Sequence, residues 1–404
     1  MVPNLNKNWP WEQYFMRLFY HCDMAYPQWP APDQYETAIV TLPNRYFDPT
    51  VGHELYKRYI DEFVFADQVG LDLMVNEHHQ TPTCLSTSAP MLLGILARVT
   101  SNARLLVLGN PIARRLQPVR VAEEMAMIDV ISSGRLECGF VRSVPYEVAA
   151  TNSNPVRDAE RMWEAHDLIL KAWTSHDGPF SFEGKYYSHR LVNIWPRPAQ
   201  QPTPPIWMTG SSPQSCAQVG ERGYVLATFG SGYDRTPAIF DSYRKGWDSA
   251  DHSRPFGLDR LAYTSLTYVG STDAEAREAA EHVLWFYNRP AKAPLHFSNP
   301  PGYASPAANV SVLRTGKALS GPMSRASPLT VDEAISRGLL FCGSPDTVVG
   351  QIKRFYSAVG GFGNLVCQAH GGALGHEETI NGIRLLAQEV YPQLKEFGQV
   401  SVAA

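Results

Sequence analysis

The feature that most constrains the fold is a rhythm. Short apolar runs of strand type stand at 15–21, 71–77, 103–109, 135–141, 205–209, 224–229, 261–269, 339–342 and 364–369. Between and after them lie segments whose apolar residues recur at helical spacing: 53–70, 88–99, 118–131, 156–173, 213–222, 237–249, 273–287, 346–359 and 377–397. Strands joined by helical crossovers run parallel, and a long series of such units closes most readily into a cylinder. The order therefore predicts an α/β fold, a (β/α)8 TIM barrel built from eight of these strands. The remaining strand and a hairpin over 180–195, centred on Glu183-Gly184, fall in insertions. A doubly wound open sheet is the competitor, but no GxGxxG follows any strand.

A barrel with insertions can absorb all 404 residues, so 1–404 reads as a single domain. One stretch breaks the rhythm. Residues 289–329 are dense in Pro, Ala, Ser and Gly and show neither helical nor strand period. A loop that long in a compact domain is usually functional, so an insertion of about 289–330 is expected to act as a lid.

Composition narrows the class. Apolar residues make up 44% of the chain, enough for a large core. Lys plus Arg is 35 against 39 Asp plus Glu, a net charge of −4, which argues against nucleic acid or an anionic membrane as partner. No apolar run is long enough to span a bilayer, and the first ten residues carry no apolar signal region. The six cysteines, at 22, 84, 138, 216, 342 and 367, form no CxxC pair and read as free thiols in a reducing compartment. The expectation is a soluble cytoplasmic enzyme.

In parallel barrels the working residues follow the carboxyl ends of the strands. After the second strand-type run stand Asn76-Glu77-His78-His79. Strand alternation puts Asn76 and His78 on one face and Glu77 and His79 on the other, so one imidazole can face a ligand while the other anchors the strand end. An imidazole can serve as acid or base near neutral pH; two structural histidines are the plainer alternative. HExxH is absent and His21 has no HxH partner, so no metal site is expected.

Gly109-Asn110-Pro111 supplies a turn at a strand end where a flat ligand can approach the backbone, although an ordinary strand-to-loop turn fits equally well. Ser212 and Pro213 suit the N-cap and first position of a helix, whose free N–H groups attract phosphate, and Arg142 on another strand end can add a charge-assisted contact. Gly343-Ser344-Pro345-Asp346 has similar grammar, but Asp346 would repel an anion, so the first turn is favoured. Phe19, Trp285 and Phe286 are candidate pocket lining, with plain core packing as their alternative.

Taken in order, VNEHHQT (75–81), LVLGNP (106–111), PVRVAEEMAMID (118–129), SGRLECGFVRS (133–143), FEGKYY (182–187), WPRPAQQ (195–201), PPIWMTGSSP (204–213), FCGSPDTVV (341–349) and YPQL (391–394) resemble the bacterial luciferase-like flavin-dependent monooxygenase family. The resemblance spans about 15–397. It implies an FMNH2-dependent oxidoreductase of a two-component system. Reduced FMN comes from an NAD(P)H-dependent flavin reductase, and a flavin C4a-peroxide formed with O2 oxygenates a small organic substrate. It also implies a homodimer or tetramer. His78 matches the family's active-site histidine and His79 its neighbour. Gly109 and Asn110 match the segment against the isoalloxazine, often with a non-prolyl cis peptide. Arg142, Ser212 and Ser215 match phosphate contacts, with Ser211 beside them. Ser143 stands where Gly is common, and Val141 where light-emitting members have Cys, so bioluminescence is not implied. An F420-dependent oxidoreductase on the same fold, or a non-catalytic flavin-binding subunit, are the alternatives.

Overall fold

The computed structural model describes residues 16–288, 294–315, 328–370 and 373–402. Parallel pairing runs β1 (Arg17–Cys22), β2 (Asp72–Val75), β3 (Leu105–Asn110), β4 (Leu136–Phe140), then β7 (Ile206–Thr209), β8 (Val225–Phe229), β9 (Leu261–Val269) and β11 (Asn364–His370), and β11 pairs back to β1. Eight strands thus close into the expected (β/α)8 barrel. The ninth parallel strand, β10 (Leu340–Gly343), pairs only with the last residues of β9, Leu266–Val269, and is not a stave. The 180–195 hairpin forms β5 (Phe180–Glu183) and β6 (Ser188–Val192) as a separate antiparallel pair.

Around the barrel lie α1 (Pro49–Gln68), α2 (Ala89–Val99), α3 (Pro118–Ile131), α4 (Glu147–Ala150), α5 (Asp158–Thr174), α6 (Pro213–Glu221), α7 (Gly232–Asp248), α8 (Asp273–Asn288), α9 (Leu295–Ser298), α10 (Pro306–Thr315), α11 (Val331–Ser336), α12 (Pro345–Ala358), α13 (His376–Leu385) and α14 (Tyr391–Val402). Their starts follow local chemistry. Asp48 accepts from the N–H groups of Thr50 and Val51 with Pro49 next to it, so α1 begins a turn earlier than its apolar period suggests. It ends where Gly70 takes φ +89°, the left-handed C-terminal stop expected there. Within 289–330, residues 289–293 and 316–327 lie outside the described residues, but the described part departs from the expectation of irregular chain: Ser305 caps the start of α10 through the Ala308 N–H at 3.2 Å.

Side chains alternate across the wall. Leu18, Tyr20 and Cys22 of β1 face the helices, in one large core with Leu73, Leu105, Val107, Phe63 and Trp173. Phe19 faces inward with Met74, Leu106, Leu108, Trp207, Val225, Ala262 and Val366, which fill the cylinder. Phe19 is fully buried edge-on against Trp207, ring centroids 5.5 Å apart, so it is core rather than pocket lining. The amino end of the cylinder is closed by polar side chains: Glu137 accepts from Arg17 at 2.7 Å, from Arg104 at 2.9 Å and from the Trp207 indole at 2.6 Å. The opposite rim carries the candidate site.

Candidate active site

The β2 end runs directly into Asn76-Glu77-His78-His79. Glu77 is an anchor. Its carboxylate accepts the Ala89 N–H at 2.9 Å, at the start of α2, and is met by Arg115 at 2.6 Å and His79 Nε2 at 3.0 Å. Burial would raise the Glu77 carboxyl, but these partners hold it below the usual range. The pairing of Glu77 with His79 is the anchoring expected of one face. His79 thus ties the segment down, while His78 points elsewhere.

His78 Nδ1 lies 3.3 Å from Glu147 Oε1, at the start of α4. The same oxygen accepts the His79 N–H at 3.1 Å, and the other carboxylate oxygen accepts from the Ser143 hydroxyl. Burial disfavours a charged His78, but Glu147, Asp23 and Glu77 outweigh it, so the imidazolium persists to higher pH than in a free imidazole. Glu147 moves the other way: burial would raise it, but His78 and Ser143 hold it low. Asn76 turns inward and donates to Asp23, which also accepts from Gln368 and faces His21 Nε2 at 3.4 Å.

On β3 the Leu108–Gly109 peptide is cis. A Cβ on Gly109 would lie 2.3 Å from Val141 Cγ1, so glycine is required by close approach to β4. Asn110 is fully buried; its Oδ1 accepts from Arg115 Nε at 3.3 Å, and its Nδ2 has no hydrogen-bond partner among the described residues. Arg115 therefore ties Asn110 to the Glu77–His79 anchor.

Arg142 follows the end of β4, beside the end of β7 in the sheet, since Phe140 pairs with Met208. Its guanidinium sits 4.0 Å from the Tyr303 ring centroid, a cation–π contact. Tyr303 belongs to the late insertion, and its hydroxyl donates to the Ser143 carbonyl at 2.8 Å. Ser143 adopts φ +88°, which explains why glycine suits this place; the hydrogen bond to Glu147 offsets the strained backbone. Ser212 and Ser215 form a reciprocal cap at the start of α6, Ser215 N–H to Ser212 Oγ at 3.1 Å and the two hydroxyls 2.9 Å apart. The Ser211 carbonyl accepts from Arg235 at 3.3 Å. The rival helix start at α12 already holds a carboxylate: Asp273 accepts the Ser344 N–H at 2.7 Å and the Thr347 hydroxyl at 3.1 Å.

Of the named candidates, Gly109 and Asn110 are the last residues of β3, and His78, His79, Arg142, Ser211, Ser212 and Ser215 follow the carboxyl ends of β2, β4 and β7, all on one rim. Trp285 packs against Trp29, ring centroids 4.8 Å apart, while the side chain of Phe286 lies outside the described residues. Sequence reading missed Asp23, Arg115, Glu147 and Tyr303. Asp23 directly follows β1, so the strand-end rule selects it; Glu147 and Tyr303 stand in segments with no strand to point at them. No helix among the described residues is long and apolar enough to cross a membrane, and the six cysteines are free and buried.

Residues 37–361 match the family described as luciferase-like monooxygenase. The oxygenase component of the flavin-dependent trigonelline monooxygenase of Acinetobacter baylyi is 26% identical over 251 residues, covering 60% of this chain and 68% of that one. The oxygenating constituent of the 3,6-diketocamphane monooxygenase of Pseudomonas putida, solved in complex with FMN, superposes with a TM-score of 0.69 at 20% identity, covering 94% of this chain and 98% of that one. The coenzyme F420-dependent tetrahydromethanopterin reductase of Methanopyrus kandleri gives 0.61 at 18% identity, covering 95% and 100%. The two structural likenesses are of fold. With the family match extending over most of its length, the chain belongs to the luciferase-like monooxygenases.

Proposed function

We propose that this protein is the oxygenase of a two-component flavin-dependent system. It takes reduced FMN from a separate NAD(P)H-dependent reductase and, with O2, oxygenates a small organic substrate. The observation that carries the reading is the Asn110 amide, buried and without a hydrogen-bond partner among the described residues, on the rim that also bears the His78–Glu147 pair. A buried donor without a partner costs free energy unless a ligand meets it. The residues fit a flavin: Gly109 and Asn110 would hold the ring, and Arg142, Ser211, Ser212 and Ser215 the phosphate, the serine hydroxyls turning from one another to the anion. When bound, reduced FMN supplies the two electrons by which one atom of O2 enters the substrate and the other leaves as water. His78 supplies a proton or hydrogen bond at its Nε2, and His79 with Glu77 keeps the segment in place.

The described part of the insertion, docked through Tyr303 on Arg142 and Ser143, supports a role in excluding water above the rim. Met91, Ile95 and Val99 on α2 and Met127, Val130 and Ile131 on α3 are exposed, which supports self-association as a homodimer or tetramer.

Stopped-flow mixing of the protein, reduced FMN and air tests the proposal. Reoxidation slower than for free reduced FMN is expected. Arg142→Ala weakens reduced-FMN binding about tenfold, the loss of one charge-assisted contact. His78→Ala keeps the fold but releases hydrogen peroxide in place of product. Tight F420 binding with no effect on reduced FMN would instead assign the chain to the deazaflavin chemistry seen on the same fold.

A further inference from the structure

One carboxylate organises both histidines, and the reading above gives it no role of its own. Glu147 is 1% exposed, on the first residue of a single-turn helix between β4 and α5. Three donors converge on it: His78 Nδ1, the His79 N–H and the Ser143 hydroxyl. Ser143 reaches it from a left-handed backbone, and the Ser143 carbonyl in turn accepts the Tyr303 hydroxyl. A chain of contacts thus runs from the late insertion through Ser143 and Glu147 to His78. His78 Nε2 makes no hydrogen bond to the described residues.

We infer that Glu147 is the positioning residue of the site: it accepts from the Nδ1–H of His78 and so fixes the ring with Nε2 turned outward to a ligand. The inference rests on His78 being a site residue and deepens that reading. The logic is that of a buried carboxylate oriented on an imidazole: a hydrogen bond to one nitrogen decides what the other presents. A neutral ring with Nδ1–H donated would offer Nε2 as acceptor; the charged ring offers it as donor. Burial disfavours the charged ring, and the facing Glu147 carboxylate outweighs it. The other groups around His78 are Asp23, beyond the end of β1, Glu77 on its own segment, and Cys84 and Tyr146 nearby. Asp23 is occupied by Asn76, Gln368 and His21, and Glu77 by His79, Arg115 and the α2 N-terminus. Neither offers His78 a hydrogen bond, so Glu147 is the carboxylate that can orient it.

The test follows the His78 imidazole by NMR through a pH titration of the flavin-free protein, in wild type, Glu147→Gln and Glu147→Asp. The midpoint of His78 moves down in Glu147→Gln, and Glu147→Asp restores part of the shift. With reduced FMN, air and an oxidisable substrate, Glu147→Gln loses roughly tenfold more coupling at pH 8 than at pH 6, as expected when a proton donor loses its partner. An unmoved His78 midpoint in a folded Glu147→Gln protein overturns the inference. A shifted midpoint in a protein that binds no reduced flavin leaves it standing and overturns the proposed function instead. Should Glu147→Gln fail to fold, Ser143→Ala, which removes one donor to Glu147 and leaves the carboxylate in place, provides the same titration: a changed His78 midpoint supports the network, an unchanged one counts against it.

Discussion

At the scale of single residues, the candidate site is a set of polar groups with unequal satisfaction. Glu77 and Glu147 have full sets of partners, and Asn110 does not. That inequality separates anchors from ligand contacts, because a protein gains nothing by burying an amide donor that meets neither protein nor ligand. Asn110→Ala is accordingly expected to cost the flavin-free protein less than about 1 kcal/mol, since the hydrogen bond lost is the long one to Arg115. Reduced-FMN affinity should fall about tenfold, the worth of one buried hydrogen bond to a ligand. Thermal melting of the flavin-free protein and fluorescence titration with reduced FMN measure the two effects. A large loss of melting temperature with unchanged affinity would return Asn110 to the structural set. His78 and Asn110 were readable from the sequence because each stands at or within three residues of a strand's carboxyl end. Glu147 and Tyr303 were not: their roles arise from where α4 and the insertion fold back, and no local pattern encodes that return.

At the scale of elements, the sequence was most legible where helical period and capping chemistry agree. The helix over 118–131 and the strand over 261–269 match to the residue, because Pro118 opens the helix and the strand is buried along its length. Helix α7 begins at Gly232, ahead of the Pro237 that suggests its start, so the proline lies inside the helix and costs it one i→i−4 backbone donor. What the pattern could not say is which apolar run lies outside the barrel; β10 has the composition of a stave and is excluded by register, pairing only with the overhang of β9. Register also governs the β3–β4 contact at the site. Gly109 lies so close to Val141 that Gly109→Ala must displace the Val141 side chain, at a cost of about 1–3 kcal/mol from overpacking. In a Val141→Ala background most of that cost should vanish. A double-mutant cycle of urea midpoints measures the coupling; equal penalties in both backgrounds would mean that the backbone at Gly109, and not the Val141 side chain, requires glycine.

At the scale of the whole molecule, the barrel separates two polar ends by an apolar interior. The rim carries the polar groups of the candidate site; the amino end uses its own to close the cylinder. There burial would push the Glu137 carboxyl up, but the Arg17 and Arg104 guanidiniums and their hydrogen bonds bring it down to about 2, from an ordinary value of 4.5. A carboxyl depressed in the folded state contributes stability that is complete above 4.5 and is lost as pH falls toward 2. Asp72, 3.9 Å from Arg17, works in the opposite sense, because burial outweighs its cationic neighbours and raises it. The Glu137 contribution is therefore isolated as the difference between wild type and Glu137→Gln. At neutral pH the variant leaves two buried guanidiniums without their shared counter-ion, a loss of about 3–5 kcal/mol. As pH falls through the acid range the wild type loses this advantage and the two urea midpoints converge. A gap of constant size from pH 6 down to the acid limit would show that Glu137 acts by shape alone. Reduced-FMN affinity, measured where both proteins are folded, should be the same in each, because the amino-end ion cluster and the rim lie at opposite ends of the strands and share no hydrogen bond.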